Sequence, residues 1–234
     1  MTLLHVLRVF VGPDGGGGNP LGVFVEGLEI EPLRRQEVAA DLGFSETVFV
    51  DSVDDAVARI AIFTPAVELP FAGHPTVGTS WLLRELGTPV SALRCRAGDV
   101  PVWQDGELAW IRARAEWVRG VPAPDRLSGP ADVDAVVPPS MGEPGRYVWA
   151  WEDEAAGTLR ARFFPTDLGI AEDEATGAAA VVMGDRLGRP LTIHQGVGSE
   201  LHVRPRGDGS VEVGGRVELV EHRPFGRQDH SMPT

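Results

Sequence analysis

The chain has 234 residues and a formal net charge of −13 at neutral pH, which argues against nucleic acid or an anionic membrane as a partner. Its hydrophobic content of 43% is ordinary for a globular protein, and no apolar run approaches the length of a membrane span, so a cytoplasmic location is expected. All 21 basic residues are arginine, which excludes a lysine Schiff base to pyridoxal phosphate and a standard phosphate-binding P-loop. The single cysteine, Cys95, excludes an internal disulfide and makes no cysteine-based zinc site; neither metal nor cofactor is expected.

The first half of the chain alternates apolar, β-branched runs with helical patterns. Strands are predicted at residues 3–11, 19–27, 45–50 and 57–64, and helices at 31–44 and 75–86. Gly43 and Gly87 suit the ends of those two helices, because glycine readily adopts the left-handed conformation that closes a helix. The glycine-rich segment 13–20 is interpreted as a flexible hairpin connection between the first two strands.

The second half is predicted to be mostly strand. Strands are expected at 107–118, 158–164, 191–196, 200–205, 210–215 and 216–222, with one helix at 176–187 that ends at Gly188 and is followed by Pro190. Trp149 and Trp151 alternate on a further strand, which places both side chains on one face. Residues 119–145 are rich in Pro, Gly and Asp and predict a loop.

A weak internal repeat relates the two halves. Three identities recur at an offset of 100 residues: Phe63 with Phe163, Pro65 with Pro165, and Thr76 with Thr176. Three identities can arise by chance, but in both copies a strand leads through a loop to a helix rich in small residues. This shared context favours two similar lobes, each of which presents a helix N-terminus.

The starts of the two predicted helices contain residues that suit an anion-binding site. A helix N-terminus carries free N–H groups and a partial positive charge, so it attracts carboxylate or phosphate. Gly73 allows a ligand to approach the backbone, and Pro75 suits a first helical turn. The alternative is that Gly-His-Pro simply starts a helix, with a half-buried and hydrogen-bonded His74.

Four segments resemble a known family: GNPLGVFVEG, EVAADLGFSETVFV, RIAIFTPAVELPFAGHPTVGTSWLL and RFFPTDLGIAEDEATGAAA. Together they resemble the PhzF-like isomerases of phenazine biosynthesis, a family of secondary metabolism. The resemblance implies an α+β fold of the diaminopimelate epimerase type. In that fold, two pseudo-symmetric lobes each wrap a curved mixed or antiparallel sheet around a central helix. The lobes are expected at 1–105 and 106–234, with exchange of terminal strands possible, in a homodimer.

The resemblance also implies roles for individual residues. It assigns catalysis to Glu46 and Asp173 and places the substrate against Asn19, Ser45, Gly73, His74, Thr176, Gly177 and Ala178. Asp173 would orient the substrate, although capping of the second helix is an alternative. The chain departs from the family pattern at Ala178, where serine is usual, at Glu174, where proline is usual, and in its shorter second lobe.

These residues predict a cofactor-independent isomerase that acts on a small anionic substrate. Epimerases of this fold use two cysteines at the helix starts, and His74 and Ala178 stand there instead. One acid/base, Glu46, would shift a proton on a small carboxylate that is dihydro-hydroxyanthranilate-like or derived from an amino acid. Apolar neighbours such as Phe44 and Val48 would raise its pKa towards neutrality. The alternative is a non-catalytic member that binds a small carboxylate.

Overall fold

One continuous sheet wraps around two helices in this protein, whose computed structural model describes residues 2–226. The strands are β1 (Leu3–Val11), β2 (Gly17–Phe24), β3 (Glu46–Asp54), β4 (Val57–Phe63), β5 (Glu68–Leu69), β6 (Ala92–Cys95), β7 (Gly98–Asp105), β8 (Leu108–Arg114), β9 (Asp125–Arg126), β10 (Arg146–Asp153), β11 (Thr158–Phe164), β12 (Leu191–Gln195), β13 (Ser199–Pro205) and β14 (Ser210–Pro224). The helices are α1 (Arg35–Leu42), α2 (Gly73–Glu85), α3 (Pro130–Asp134) and α4 (Gly177–Leu187). Within residues 2–226, no helix is both long enough and apolar enough to cross a membrane.

The two halves of the sheet repeat one local topology. In the first half, β3 and β4 form an antiparallel hairpin, and the chain then crosses through α2 to β6, which is parallel to β4. In the second half, β10 and β11 form the hairpin, and α4 leads to β12, which is parallel to β11. Parallel neighbours require such a crossover, and the crossover lays a helix against the sheet. The repeated arrangement confirms the predicted α+β fold with two pseudo-symmetric lobes.

Both central helices are buried by the sheet around them. Nearly every residue of α2 from Gly73 to Leu83 is buried, because α2 packs against β1, β2, β8 and β14. Gly78 makes this packing possible, since a Cβ there would lie only 2.6 Å from Leu21 Cδ2. The second helix, α4, packs against β13 and β14. A single apolar core runs from the α2 side to the α4 side.

Strand β14 joins the two lobes. Its first part, residues 210–215, pairs with β8 on one side and with β13 on the other. Its second part pairs with β1. The division of the chain at 105/106 therefore stays a prediction. It assigns β8 to the second lobe, and β8 pairs with β7, packs against α2 and pairs with β14.

The structure corrects several element predictions. Residues 119–145 are not only a loop: they contain β9 and α3, and Val133 of α3 is fully buried against Phe164. The two strands predicted at 210–222 form the single strand β14. Within this strand, a Cβ on Gly214 would lie 2.4 Å from Trp110 Cδ2, so glycine is needed there for packing. Helix α2 begins two residues before Pro75, and α4 begins one residue after Thr176. The strands β6 and β7 were not predicted.

Candidate active site

Residues that are far apart in the sequence converge where α2 and α4 begin. Glu46 is the first residue of β3, and its Cα is paired in register with Leu21 of the parallel strand β2. His74 is the second residue of α2. Asp173 precedes α4 and is held to the end of β11 by a hydrogen bond of 2.9 Å from its N–H to the Phe163 carbonyl. Each half of the sheet therefore delivers acid/base side chains to the same place.

The N-termini of the two central helices are in direct contact. A Cβ on Gly73 would lie 2.7 Å from the Cα of Gly177, and a Cβ on Gly177 would lie 2.9 Å from the backbone nitrogen of His74. Neither helix start receives a hydrogen bond from a capping side chain of its N-cap residue in the described part of the chain. The positive ends of both helix dipoles thus meet, which favours an anionic group at this point.

We expect Gly73→Ala to lower the free energy of unfolding by about 1–3 kcal/mol, because the added methyl group would overlap the backbone of α4. Gly129→Ala is the matched control. Gly129 has open space around its Cβ position and an extended φ of −164°, and since it is the N-cap residue of α3, its replacement should lower stability by no more than about 1 kcal/mol. Urea unfolding followed by circular dichroism measures both variants. Equal unfolding midpoints for the two variants would show that the N-termini of α2 and α4 can move apart without loss of stability.

Asn19 bridges the two lobes. Its Nδ2 donates to Asp173 Oδ1 at 2.7 Å and to the Ala175 carbonyl at 2.8 Å, and its Oδ1 accepts a hydrogen bond of 3.0 Å from the Ser45 hydroxyl. The Ala175 carbonyl can only accept, so it fixes the orientation of the Asn19 amide. Asn19 is buried, and buried hydrogen bonds to a carboxyl group are costly to break. Asn19 and Ser45 therefore hold Asp173 from the side of the first lobe.

Thr176 and Gln195 hold Asp173 from the side of the second lobe. The Thr176 hydroxyl donates to Asp173 Oδ2, and Gln195 Nε2 donates to the Asp173 carbonyl at 2.8 Å and to Thr176 Oγ1 at 2.9 Å. Gln195 was not among the residues predicted from the sequence. It ends a strand that alternates between buried and half-exposed residues, and this pattern alone does not separate a packing glutamine from one in a site.

Glu46 and His74 face each other. Glu46 Oε2 and His74 Nε2 are 3.5 Å apart, the two side chains are 16% and 4% exposed, and neither atom has a hydrogen-bond partner among the described residues. The ring of His74 also hydrogen-bonds the backbone of Pro20. Pro20 has no N–H, so its carbonyl accepts from the ring, and Nδ1 is the nitrogen that donates. In the neutral ring, Nε2 is then an acceptor directed at Glu46.

Burial controls the protonation of this group of residues. Burial raises the pKa of Glu46 to about 7, against a smaller opposing effect of the Ser45 hydroxyl. The pKa of Asp173 is raised to about 6, first by burial and then by the negative charge of Glu46. Burial lowers the pKa of His74 to about 4, so its imidazole is neutral at pH 7. Near neutrality, Glu46 is thus present as both acid and base, which is what proton transfer requires.

Glu46→Gln should become increasingly stabilising relative to the wild type as the pH rises from about 4.5 to about 7. The folded protein keeps the Glu46 proton up to a pKa of about 7, whereas the unfolded chain releases it near 4.5, so the wild type loses stability across this window. The lowered pKa of His74 makes the folded protein more stable as the pH rises, which is the opposite direction. Because both proteins contain His74, this contribution largely cancels in the difference between them. Relative to the wild type, the free energy of unfolding of Glu46→Gln should be higher at pH 8 than at pH 4.5 by on the order of 1–3 kcal/mol.

Urea unfolding at several pH values measures this difference. Glu107→Gln, at a side chain that is 81% exposed, controls for the general loss of one negative charge. A stability difference between Glu46→Gln and the wild type that did not vary with pH would contradict a raised pKa for Glu46.

The two substituted positions of the family pattern, Ala178 and Glu174, occupy different surroundings. Ala178, the second residue of α4, is half-buried and adds no hydroxyl to the site. The carboxylate of Glu174 accepts hydrogen bonds from the Val197 N–H at 2.9 Å and from the Ser199 hydroxyl at 2.8 Å. Ser199 Oγ in turn accepts from the Gly18 N–H at 2.8 Å. Glu174 therefore ties the second lobe to the glycine-rich hairpin beside Asn19.

Other histidines of the described residues, and the cysteine, lie elsewhere. His194 and His202 both pair with Glu200, at 3.5 and 3.0 Å. Within residues 2–226, no group of three or more His, Cys, Asp or Glu side chains is arranged to hold a metal ion. Cys95 is buried in the core, and burial raises its pKa above the ordinary value. The rings of Trp149 and Trp151 are in edge-to-face contact with centroids 5.3 Å apart, as their alternation on one strand predicted.

A sheet that wraps two helices, with acid/base side chains where the helix N-termini meet, defines the diaminopimelate epimerase type of fold. A model of the family described as phenazine biosynthesis-like protein matches residues 10–135. The trans-2,3-dihydro-3-hydroxyanthranilate isomerase of Pseudomonas aeruginosa is 30% identical over 261 aligned positions, which cover 89% of this chain and 94% of that protein. The chain belongs to the phenazine biosynthesis-like family, whose members are isomerases.

Two further comparisons agree with this assignment. A Pasteurella multocida protein described as an uncharacterized isomerase is 40% identical over 107 residues, which are 44% of this chain and 37% of that protein. The crystal structure of a phenazine biosynthesis protein of the PhzF family from Enterococcus faecalis has a TM-score of 0.78 to this chain at 19% identity. That superposition covers 94% of this chain and 97% of the other, so the whole fold is shared.

Proposed function

We propose that the protein is a cofactor-independent isomerase that moves a proton on a small carboxylate substrate, with Glu46 as its single acid and base. The observation that carries this proposal is the position of Glu46. It is a buried carboxyl group with a pKa of about 7, it lies 3.5 Å from a neutral histidine, and it stands beside two helix N-termini. A side chain of this kind can take and return a proton at neutral pH.

The helix starts would bind the substrate carboxylate. The N–H groups of Gly73 and His74 on α2, and of Gly177 and Ala178 on α4, precede the first hydrogen bonds within those helices. The positive dipole ends would attract an anion into an acidic protein, with a contribution of about 0.3–2 kcal/mol from each helix. Because His74 is neutral at pH 7, the helices rather than a charged imidazole would supply the positive potential.

The reaction would consist of two proton transfers on one face of the substrate. Ionised Glu46 takes a proton from an acidic carbon, so that a C–H bond breaks and an O–H bond forms while the electron pair moves into the substrate's π system. Protonated Glu46 then returns the proton to another carbon of the same π system. Asp173, held by Asn19 and Thr176, would orient an amine or hydroxyl group of the substrate.

The test is isotope exchange in D₂O, followed by NMR, with two kinds of candidate substrate. One is trans-2,3-dihydro-3-hydroxyanthranilate, the compound named for the Pseudomonas aeruginosa relative. The other is a panel of amino acids and their derivatives. We expect deuterium to enter a carbon position of one of these compounds together with formation of its isomer.

Ala178 favours a second candidate function, a protein that binds a small carboxylate without turning it over, because the serine usual at this position is missing. Calorimetric binding of a carboxylate that shows neither exchange nor isomerisation would support this second candidate over the isomerase.

A further inference from the structure

Gln195 is buried next to the acid/base group, and three of its hydrogen bonds go to the segment before α4. Only 1% of the residue is exposed. Its Nε2 donates to the Asp173 carbonyl and to Thr176 Oγ1, and its Oε1 accepts a hydrogen bond of 3.3 Å from the Thr176 N–H. A buried glutamine with these contacts determines how that segment is placed against β12.

The surrounding backbone fixes the orientation of the Gln195 amide. The Asp173 carbonyl can only accept a hydrogen bond, so it must face Nε2. The Thr176 N–H can only donate, so it must face Oε1. A flipped amide would place donor against donor and acceptor against acceptor, and each unpaired buried group would be costly.

This orientation also determines where the Thr176 proton goes. Because Gln195 Nε2 donates into Thr176 Oγ1, the hydroxyl proton of Thr176 is directed to Asp173 Oδ2. Asp173 Oδ1 receives a hydrogen bond from Asn19 on the opposite side. Both oxygens of Asp173 therefore face donors, an arrangement that favours the ionised carboxylate.

We propose that Gln195 is a positioning residue that directs the Thr176 hydroxyl to Asp173, so that of the two interacting carboxyl groups Asp173 ionises first and Glu46 retains the transferable proton. This inference deepens the proposed function, on which its catalytic meaning rests. The titratable groups that act on Asp173 from the packed elements are Glu46 of β3 and His74 of α2. Both are retained in the variants below.

The test is a titration of the Asp173 carboxyl by ¹³C NMR of the whole, substrate-free chain, with its signal assigned by Asp173→Asn. Gln195→Glu has nearly the same shape but replaces the donor with an acceptor, which draws the Thr176 proton away. We expect the midpoint of the Asp173 titration to rise by about one pH unit. Thr176→Val removes the hydroxyl and should raise the midpoint by a similar amount.

The double variant separates positioning from simple charge repulsion. The Thr176 hydrogen bond can be lost only once. In the double variant, the midpoint of the Asp173 titration should therefore rise by clearly less than the sum of the two single-variant rises. Fully additive rises, or an unchanged midpoint in Gln195→Glu, would overturn the proposal. Gln104→Glu, near the end of β7, where the side chain makes an exposed hydrogen bond to the Gly106 carbonyl, adds the same charge at a distance and should leave the Asp173 midpoint unchanged.

If Gln195→Glu does not fold, Gln195→Met replaces it. The methionine removes both donors without adding charge, so the Thr176 hydroxyl is no longer directed, and we expect a smaller rise of the same sign. No rise in this variant would also overturn the proposal. None of these measurements needs a substrate. If the isomerisation assay fails but the Asp173 midpoint rises as expected in the variants, the result would count against the proposed function and leave the role of Gln195 standing.

Discussion

Glu46→Gln is expected to slow isomerisation by at least about 10²-fold while the substrate still binds. The amide keeps the shape of the side chain, and its NH₂ group can donate to His74 Nε2, which lies 3.5 Å from the present Oε2. It cannot accept a proton from carbon and return it. The loss should therefore appear in kcat, with KM within a few-fold of the wild-type value.

Two controls make this result specific. Glu107→Gln removes a carboxylate from the surface and should retain wild-type turnover. Glu46→Asp keeps a carboxyl group but shortens its reach, so it should retain more activity than Glu46→Gln. Wild-type turnover by Glu46→Gln would remove Glu46 from the mechanism, and loss of native circular dichroism would show that the variant reports on folding instead.

Local signals explain most of what the sequence predicted of the fold. The strands at 3–11 and 158–164 were predicted with their observed ends, because apolar and β-branched residues predominate in each and Gly or Pro follows directly. Gly43 and Gly188 end α1 and α4 in the left-handed conformation, with φ of 68° and 63°. Both features depend on neighbours within a few residues, which the sequence displays directly.

Features that depend on distant contacts were less accessible. Two strands were predicted at 210–215 and 216–222, but they form the single strand β14, in which Gly214 accommodates Trp110, more than 100 residues away. The short helix α3 contributes one fully buried residue, Val133, which is too weak a pattern to predict a helix.

The candidate site was accessible only where motifs marked it. Glu46, His74 and Asp173 lie in segments that resemble the family, and the structure places them together. Gln195 lies outside those segments, and its partners Asp173 and Thr176 are 22 and 19 residues away in the sequence. Its position in the site follows from how β12 packs beside the segment before α4, which no local pattern reveals.

Asp173→Asn is expected to reduce kcat by about 10²-fold or more, although it replaces a single oxygen atom with NH₂. Asp173 accepts hydrogen bonds on both oxygens, from Asn19 and from Thr176. The amide of asparagine would have to place its NH₂ group against one of these two donors, so one of the two hydrogen bonds would be lost. Asp14→Asn, at an exposed turn where the side chain accepts one hydrogen bond of 3.0 Å from Gly16, should leave turnover unchanged.

The pH profile of Asp173→Asn provides a test that a merely structural loss would not pass. Two interacting carboxyl groups titrate in two steps that belong to the pair, because the negative charge of either Glu46 or Asp173 opposes ionisation of the other. With asparagine in place, one step disappears. The ionisation of Glu46 that remains should move to lower pH, because a negative neighbour that opposed it is gone. A profile of kcat/KM that kept both steps at their wild-type positions would show that Asp173 takes no part in the titration that governs the reaction.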